Sequence, residues 1–592
     1  MEDHLIRMFL NRTKTFDTKE VLRYRDEDKT YHSLNWKQLK ARVDYVLSGL
    51  STLGCEKQEN IGIFSANRYE WLITDLGILA NSSVVVPFYA TASREQVKYI
   101  VDETQMRFIF VGNKEQMELA LSLMDEGSTL KKIIIFDKIT INDERVISFE
   151  NFLLLPSQNG INLIIEDVEK HYSARDLATI IYTSGTTGEP KGAILKHDNF
   201  MYCFHIHDKR LNVTEKDVSL CFLPLSHVFE RLWSHYMLHC GAVNVFLENP
   251  REVIEVLPVV KPTLMCTVPR FFDKTYKGIQ TELSKWSGFK QKVFKWSMAI
   301  GHEVIEYKCR SKRIPFPLSC KLLIADFLVL KKLRKIFGGK IKAMPCSGSA
   351  IDTYILKFFH AMGIFVNYGY GATETTATVS CFKTDRYYYG TCGAIMPGVD
   401  VMISNDSEIL VKGRSVFSGY YKKPLETKAA LADGWFHTGD EGYIDHQHNL
   451  IMIDRIKDLM KTSVGKYVSP QKLELLLSRD ELVEQIIVVG DNRQFVTALV
   501  VPAKEKLLQI AKNVGIAYQN EDDLIKSAGT YQLFENRFSK LQKDLTPYER
   551  VVKFVLLKEP FSIEAGTMTN TLKLRRRTIE KSYKQLIDQM YS

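Results

Sequence analysis

The apolar positions of the chain fall into short runs separated by helical patterns. Asn60–Phe64 (NIGIF) predicts a buried strand, Glu70–Ala80 a helix and Val84–Pro87 a second strand. Phe108–Val111 and Ile133–Phe136 are two more apolar strands with helical patterns between them. This rhythm predicts a mostly parallel sheet with helices on its faces. Similar units recur at Ala242–Leu247, Leu264–Val268, Ile341–Ser347 and Ile364–Tyr368. After Gly393 short strands and turns dominate (DVMIS, EILVKG, GYIDHQHNLIMI), which predicts a β-rich subdomain. From about Asp454 strands and helices mix again. The pattern therefore divides the chain into a large α/β body, 1–454, and a smaller α+β domain, 455–592. Ile486–Val501 is the best candidate for a membrane span, but Asp491, Asn492 and Arg493 interrupt it, so two strands joined by a turn are expected.

A chain of 592 residues, 45% hydrophobic and 25% charged, can bury a sizeable core without disulfide or metal staples. The ten cysteines include no C-x-x-C pair, and none follows Cys392, which fits a reduced interior. The N-terminal stretch has charges throughout and lacks the apolar core of a signal peptide. A cytoplasmic location is expected, with peripheral contact on the inner face of a membrane left open. The net charge of +9 suits anionic partners such as nucleotides, coenzymes or lipid headgroups, and by itself does not argue for nucleic acid.

The strongest local signal is Ile180–Gly192 (IIYTSGTTGEPKG). A buried strand end runs into Thr183, Ser184, Gly185, Thr186, Thr187 and Gly188, then reaches Lys191. Glycines let a backbone approach an anion, amides and hydroxyls point at phosphate oxygens, and the lysine adds charge. The spacing differs from G-x-x-x-x-G-K-[ST], which disfavours a P-loop kinase or ATPase.

This loop resembles the signature of the adenylate-forming superfamily, and four further stretches resemble its other motifs in the same order. They are Asn367–Thr375 (NYGYGATET), Gly434–Asp440 (GWFHTGD), Asp454–Lys461 (DRIKDLMK) and Thr569–Arg575 (TNTLKLR). With Pro224–Arg231 (PLSHVFER), the set is most similar to long-chain fatty acid–CoA ligases. The resemblance implies that ATP, with Mg²⁺, activates a long-chain fatty acid to an acyl-adenylate, and that CoA then displaces AMP. It implies a mobile C-terminal domain. It places Glu374 on the metal, Thr373 at the α-phosphate and Tyr370 with Gly371 against adenine. Gly348, between Ser347 and Ser349, borders the base, where small size is the requirement. Asp440 and Arg455 would reach the ribose; read alone, Asp440 would be a turn aspartate. His227 would face the acyl carboxylate, and Trp233 is a candidate channel gate or a core aromatic. Lys573 would bridge carboxylate and α-phosphate, Lys457 would be the pivot, and Gly465 would line the CoA tunnel.

Two departures stand out: Val464 replaces a usual glycine, and Asn570 a common proline. His235 and His239 have metal-compatible i, i+4 spacing but no Glu between them, which favours core or solvent roles. The basic segment 307–342, with apolar LLIADFLVL inside, is either a membrane-surface element or a solvated helix packed on the body. A homodimer is allowed for. Two alternative functions are an acyl ligase serving a carrier protein and a silent lipid- or protein-binding scaffold. Retention of Lys191, Glu374, Asp440 and Lys573 argues against the scaffold.

Overall fold

A computed structural model describes residues 2–183, 189–463, 466–569 and 573–592. Ser184, Gly185, Thr186, Thr187, Gly188, Val464, Gly465 and Asn570 lie outside the described residues.

The apolar runs of the first third build a seven-stranded sheet. Its order is Val146–Ser148, Lys132–Ile135, Phe108–Val111, Asn60–Phe64, Val84–Phe88, Leu177–Thr183, Lys191–Lys196. All neighbours are parallel except the last two, which form an antiparallel pair. Successive side chains of a strand point to opposite faces. Ile61, Ile63, Val85, Phe108, Phe110 and Ile134 accordingly enter one core, and Phe64, Val84, Val86, Ile109, Val111, Ile133 and Ile135 enter another. With both faces covered, the strands read as continuous apolar runs. The helix Tyr69–Ala80 is buried at every residue but Tyr69. At Gly77 an added Cβ would lie 2.2 Å from Val46 Cγ1, so the glycine allows this helix to approach Trp36–Thr52 closely.

Two four-stranded sheets follow. One holds Val218–Cys221, Val243–Phe246, Glu20–Arg25 and Tyr31–Asn35; the other holds Met344–Cys346, Val366–Tyr370, Ser380–Cys381 and Ala394–Ile395. The expected strand Leu264–Val268 does not form. Instead Leu264 bridges Ser219 and Ala343, and Thr267 bridges Cys346, so the segment stitches the two sheets through isolated contacts. A helix beginning at Pro269 ends it. Likewise, of the expected strand Ile341–Ser347, only Met344–Cys346 forms a ladder, and Ala343 makes just its single bridge to Leu264. The β-rich part is an antiparallel sheet of Asp400–Ile403, Glu408–Lys412, Phe436–Ile444 and Leu450–Arg455. Asp440 lies within its third strand, not in a turn.

In the C-terminal part, Val483–Val489 and Val496–Pro502 pair antiparallel, with Val551–Leu556 parallel to the second. Ile486, Val488, Ala498 and Val500 face one core; Ile487, Val489, Leu499 and Val501 face the other. Among the described residues, no helix is long and apolar enough to cross a membrane.

One charged cluster lies inside the first core. Asp75, Arg231 and His235 are fully buried; Arg231 Nη2 lies 2.5 Å from Asp75 Oδ1, and His235 Nε2 lies 2.6 Å from Oδ2. Arg231 also donates to Thr179 Oγ1 at 2.5 Å. Burial alone would raise the Asp75 pKa, but Arg231 and His235 outweigh it and hold the carboxyl below its ordinary value. Asp75→Ala strands a buried guanidinium and is expected to cost about 3–5 kcal/mol in denaturant unfolding. A loss below about 1 kcal/mol would show that the cluster does not anchor the fold.

Candidate active site

The strand Leu177–Thr183 and its partner Lys191–Lys196 form the stem of the Gly/Ser/Thr loop. Thr183 pairs with Lys191 and its hydroxyl donates to Lys191 O at 3.3 Å. Lys191 Nζ sits 5.2 Å from the ring centroid of Tyr420, and Tyr420 Oη donates to Glu374 Oε1 at 2.8 Å. Tyr420 is held there by the chain: Ile194 N–H donates to Gly419 O, and Tyr421 N–H to Gly192 O. Tyr420 thus joins the basic end of the loop to the candidate metal ligand. No motif in the sequence pointed to it, because its place depends on pairing across more than two hundred residues.

Val366–Tyr370 delivers the second motif, and a short helical turn, Thr373–Thr375, follows it. Thr373 is buried beside the half-buried Glu374. Gly371 is needed for close backbone approach, since a Cβ there would fall 1.6 Å from Ala377 O. Gly348 differs: its φ of +99° calls for glycine, while the nearest atom to an added Cβ is 4.0 Å away. The backbone conformation by itself calls for glycine at Gly348.

Asp440 and Arg455 are cross-strand partners. Tyr370 Oη donates to Asp440 Oδ2 at 2.5 Å. Arg455 Nε lies 3.0 Å from Oδ1, near enough for an ion pair but not aligned as a hydrogen bond, so that buried oxygen keeps an unmet acceptor. Burial raises the Asp440 pKa, and Arg455, Tyr370 and Lys573 oppose the rise. The result is a carboxylate in a protein wall with one oxygen that accepts no hydrogen bond.

Lys573 reaches this cluster from the C-terminal domain. Its backbone is fixed by two hydrogen bonds with Thr569: Thr569 N–H donates to Lys573 O at 2.8 Å, and Lys573 N–H to Thr569 Oγ1 at 3.1 Å. The side chain stays solvent-accessible within a cleft crowded by protein atoms. Desolvation and then Arg455 lower its pKa, while Asp440 raises it. The domain is docked by the Arg479–Asp352 ion pair, with Arg479 Nη2 at 3.0 Å from Asp352 Oδ1, and by Lys277 Nζ donating to Val483 O at 3.1 Å. Lys457 is exposed in a turn closed by Asp458 and Leu459 N–H donating to Arg455 O. Next to it, Asp454 is buried and accepts from Ser469 Oγ at 2.6 Å.

His227 caps the helix Val228–Cys240, its Nδ1 accepting from Phe229 N–H at 3.2 Å. An accepting Nδ1 carries no proton, so the neutral ring holds its proton on Nε2. Burial, and then the Lys573 ammonium, pull the His227 pKa down to about 4. The same helix supplies Phe229, Leu232, Trp233 and Tyr236 to a cleft whose other wall includes Gly369 and Tyr370. Trp233 is part of that wall and is fixed there, its Nε1 donating to Ser219 Oγ at 2.9 Å. His235 and His239 hold different partners, Asp75 and Asp208, and no group of three metal-ligating side chains occurs among the described residues.

The fold and this cleft define a class. Residues 9–421 match the family model described as AMP-binding enzyme, and residues 457–592 match the AMP-binding enzyme C-terminal domain. The chain belongs to the AMP-binding enzyme family. Among its relatives, Long-chain-fatty-acid–CoA ligase 5 of Rattus norvegicus is 31% identical over 97% of this chain and 86% of its own length. Long-chain-fatty-acid–CoA ligase 1 of Homo sapiens is 32% identical over 96% and 84%. In fold, the chain resembles the anthranilate CoA ligase AuaEII solved with anthranoyl-AMP, at TM-score 0.75, 16% identity and coverage of 99% and 100%. It also resembles the adenylation domain of a Mycobacterium chelonae carboxylate reductase, at TM-score 0.76, 20% identity and coverage of 99% and 91%.

Burial and the Lys573 ammonium set the titration of His227. Between its ordinary 6.5 and about 4 the unfolded chain binds a proton that the folded chain does not. Its contribution to stability is therefore complete above pH 6.5 and is lost as pH falls toward about 4. Nitrogen-detected NMR of labelled protein is expected to find an Nε2–H tautomer at neutral pH and a midpoint near 4. A midpoint at the ordinary value would show that the ring is neither desolvated nor beside the Lys573 ammonium, and an Nδ1–H tautomer would remove the cap.

Proposed function

We propose that this chain activates a long-chain fatty acid with ATP and transfers the acyl group to CoA. In the first half-reaction a carboxylate oxygen attacks the α-phosphorus and pyrophosphate leaves. In the second the CoA thiol attacks the acyl carbonyl and AMP leaves. The observation that carries the reading is that the Lys573 ammonium, on a domain docked by Arg479, lies near enough to act electrostatically on Asp440, Arg455 and His227. Relatives named long-chain-fatty-acid–CoA ligase support the substrate class.

In this reading Thr183 to Gly188 and Lys191 hold the β- and γ-phosphates, and Thr373 the α-phosphate. Tyr370, Gly371 and Gly348 border the base, and the unmet oxygen of Asp440, with Arg455, takes the ribose hydroxyls. The neutral His227 donates from Nε2 to the acyl carboxylate, and the cleft beyond it takes the start of the chain. Lys573 stabilises the charge that builds when the two anions meet. Rotation at Lys457 would then withdraw it and bring the Gly465 segment to the thiol.

Mg²⁺ fits the residues present. It prefers hard oxygen donors and is usually held by one or two carboxylates together with substrate phosphates. Glu374 has one oxygen engaged by Tyr420 and the other free among the described residues. Bound there, the ion would supply charge neutralisation at the phosphates.

Two experiments test the scheme. With ATP, Mg²⁺ and palmitate, the protein is expected to release pyrophosphate and, with CoA, AMP; ADP and orthophosphate would refute it. Within that assay Lys573→Ala is expected to slow adenylate formation about a hundredfold, if it supplies about 3 kcal/mol. Thioester formation from supplied acyl-adenylate would continue. Lys457→Pro is expected to do the reverse, because proline restricts the backbone rotation a pivot needs. Equal slowing of both steps by Lys573→Ala would make the residue structural.

Glu374→Gln is expected to lower the adenylation rate by about a hundredfold and raise the Mg²⁺ concentration needed for half activity. An unchanged Mg²⁺ titration would separate Glu374 from the metal.

A further inference from the structure

The segment 307–342 contains eleven Lys and Arg and one acid, a net +10, whereas the whole chain carries +9. The rest of the protein is therefore nearly neutral, and the excess charge is confined to one place in the fold. Asp326, the lone acid, is already paired with Arg334 at 2.7 Å. Lys321, Lys331, Lys332 and Lys335 are exposed, and none is in an ion pair among the described residues.

The same segment has two apolar faces. Leu318, Ala325, Val329 and Leu333 are buried in the second core, at the spacing of one helix face. They anchor the element to the body. The opposite side carries Phe316, Leu323 and Phe327, exposed to 81%, 72% and 77%, with Ile324 and Leu328 also exposed. The helix Phe316–Ala325 starts with Phe316 between Pro315 and Pro317 and passes into a wide π-helical turn, Asp326–Leu330. Val329 and Leu330 face inward from that turn, and Phe327 faces outward. The neighbouring helix Gly288–Lys308 packs alongside and leaves Phe289 and Trp296 exposed.

Such a run of large apolar side chains is rarely left in water unless something covers it. The unpaired lysines beside it select the cover by charge. We infer that Phe316–Lys335 is a platform that docks on an anionic phospholipid bilayer, its Phe316, Leu323, Ile324 and Phe327 entering the acyl boundary and its lysines meeting the headgroups. The chemistry is that of a surface-lying amphipathic helix, with apolar burial and electrostatic attraction acting together. The contact is peripheral, since the buried face ties the element to the globular body.

The test uses the full chain and vesicles of phosphatidylcholine, with or without phosphatidylglycerol. Flotation is expected to recover the protein with the anionic vesicles only, less so at high salt. L323S/F327S and K331E/K332E are each expected to reduce recovery about tenfold, with thermal midpoint and pyrophosphate exchange on a soluble medium-chain acid unchanged. Exchange on that acid checks the proposed activity separately, so loss of one does not imply loss of the other. Wild-type protein that ignores anionic vesicles, or variants that bind as well as wild type, would overturn the platform. So would a concentration-dependent dimer that L323S/F327S dissolves, because a second copy would then occupy the face.

Discussion

The buried carboxylate of Asp75 is the interaction on which the site depends. A charge with no exposure to water costs several kcal/mol unless its neighbours replace the lost hydration. Here Arg231 and His235 occupy its two oxygens, and Arg231 spends its remaining donors on Thr179 while lying over the rings of Trp71 and Phe200. Three elements meet through these few atoms. Asp75 belongs to Tyr69–Ala80, Thr179 to the strand that runs into the Gly/Ser/Thr loop, and Arg231 to the helix that begins at His227 and lines the cleft. The stem of the loop and the wall of the cleft cannot shift independently without breaking a fully desolvated ion pair.

A second set of charges lies at Asp440. Arg455 and Lys573 face the buried carboxylate of Asp440, and Glu374 and Asp458 also act on Arg455. The Lys573 ammonium is disfavoured there by desolvation first and Arg455 second. An anion placed beside it would favour the charged form, which fits the role proposed for Lys573 above. In the Arg479–Asp352 pair that holds the domain, the carboxylate is buried and the guanidinium is half in solvent.

The parallel strands were legible because each is an unbroken apolar run with a covered face on either side. The D-N-R interruption was legible because Asn492 takes φ of +56°, a conformation that asparagine tolerates. Leu264–Val268 misled for a related reason: its apolar residues are buried, but they bridge two sheets at single points and never form a ladder. The long-range partners were invisible. Nothing near Tyr420, Asp75 or Asp352 in the chain announces Glu374, Arg231 or Arg479, since each pair is closed only by the fold. Gly348 shows a subtler gap: the residue type is legible, but the positive φ that calls for glycine is seen only in the fold.

The two uses of positive charge differ in the medium that surrounds them. Arg231 and Asp75 interact where water and salt do not penetrate, so their attraction is nearly independent of ionic strength. The lysines of 321–335 stand in water, where charges more than about 8 Å apart are screened at physiological salt. They contribute little to holding the fold and repel one another. Such an unpaired cluster is tolerable because it sits on an element whose other face, Leu318 through Leu333, is secured by apolar burial, with Arg334 Nη1 donating to Met362 O beside it. Stability and surface charge are thus carried by opposite sides of one helix, and the outward side is free to carry residues that the fold does not need.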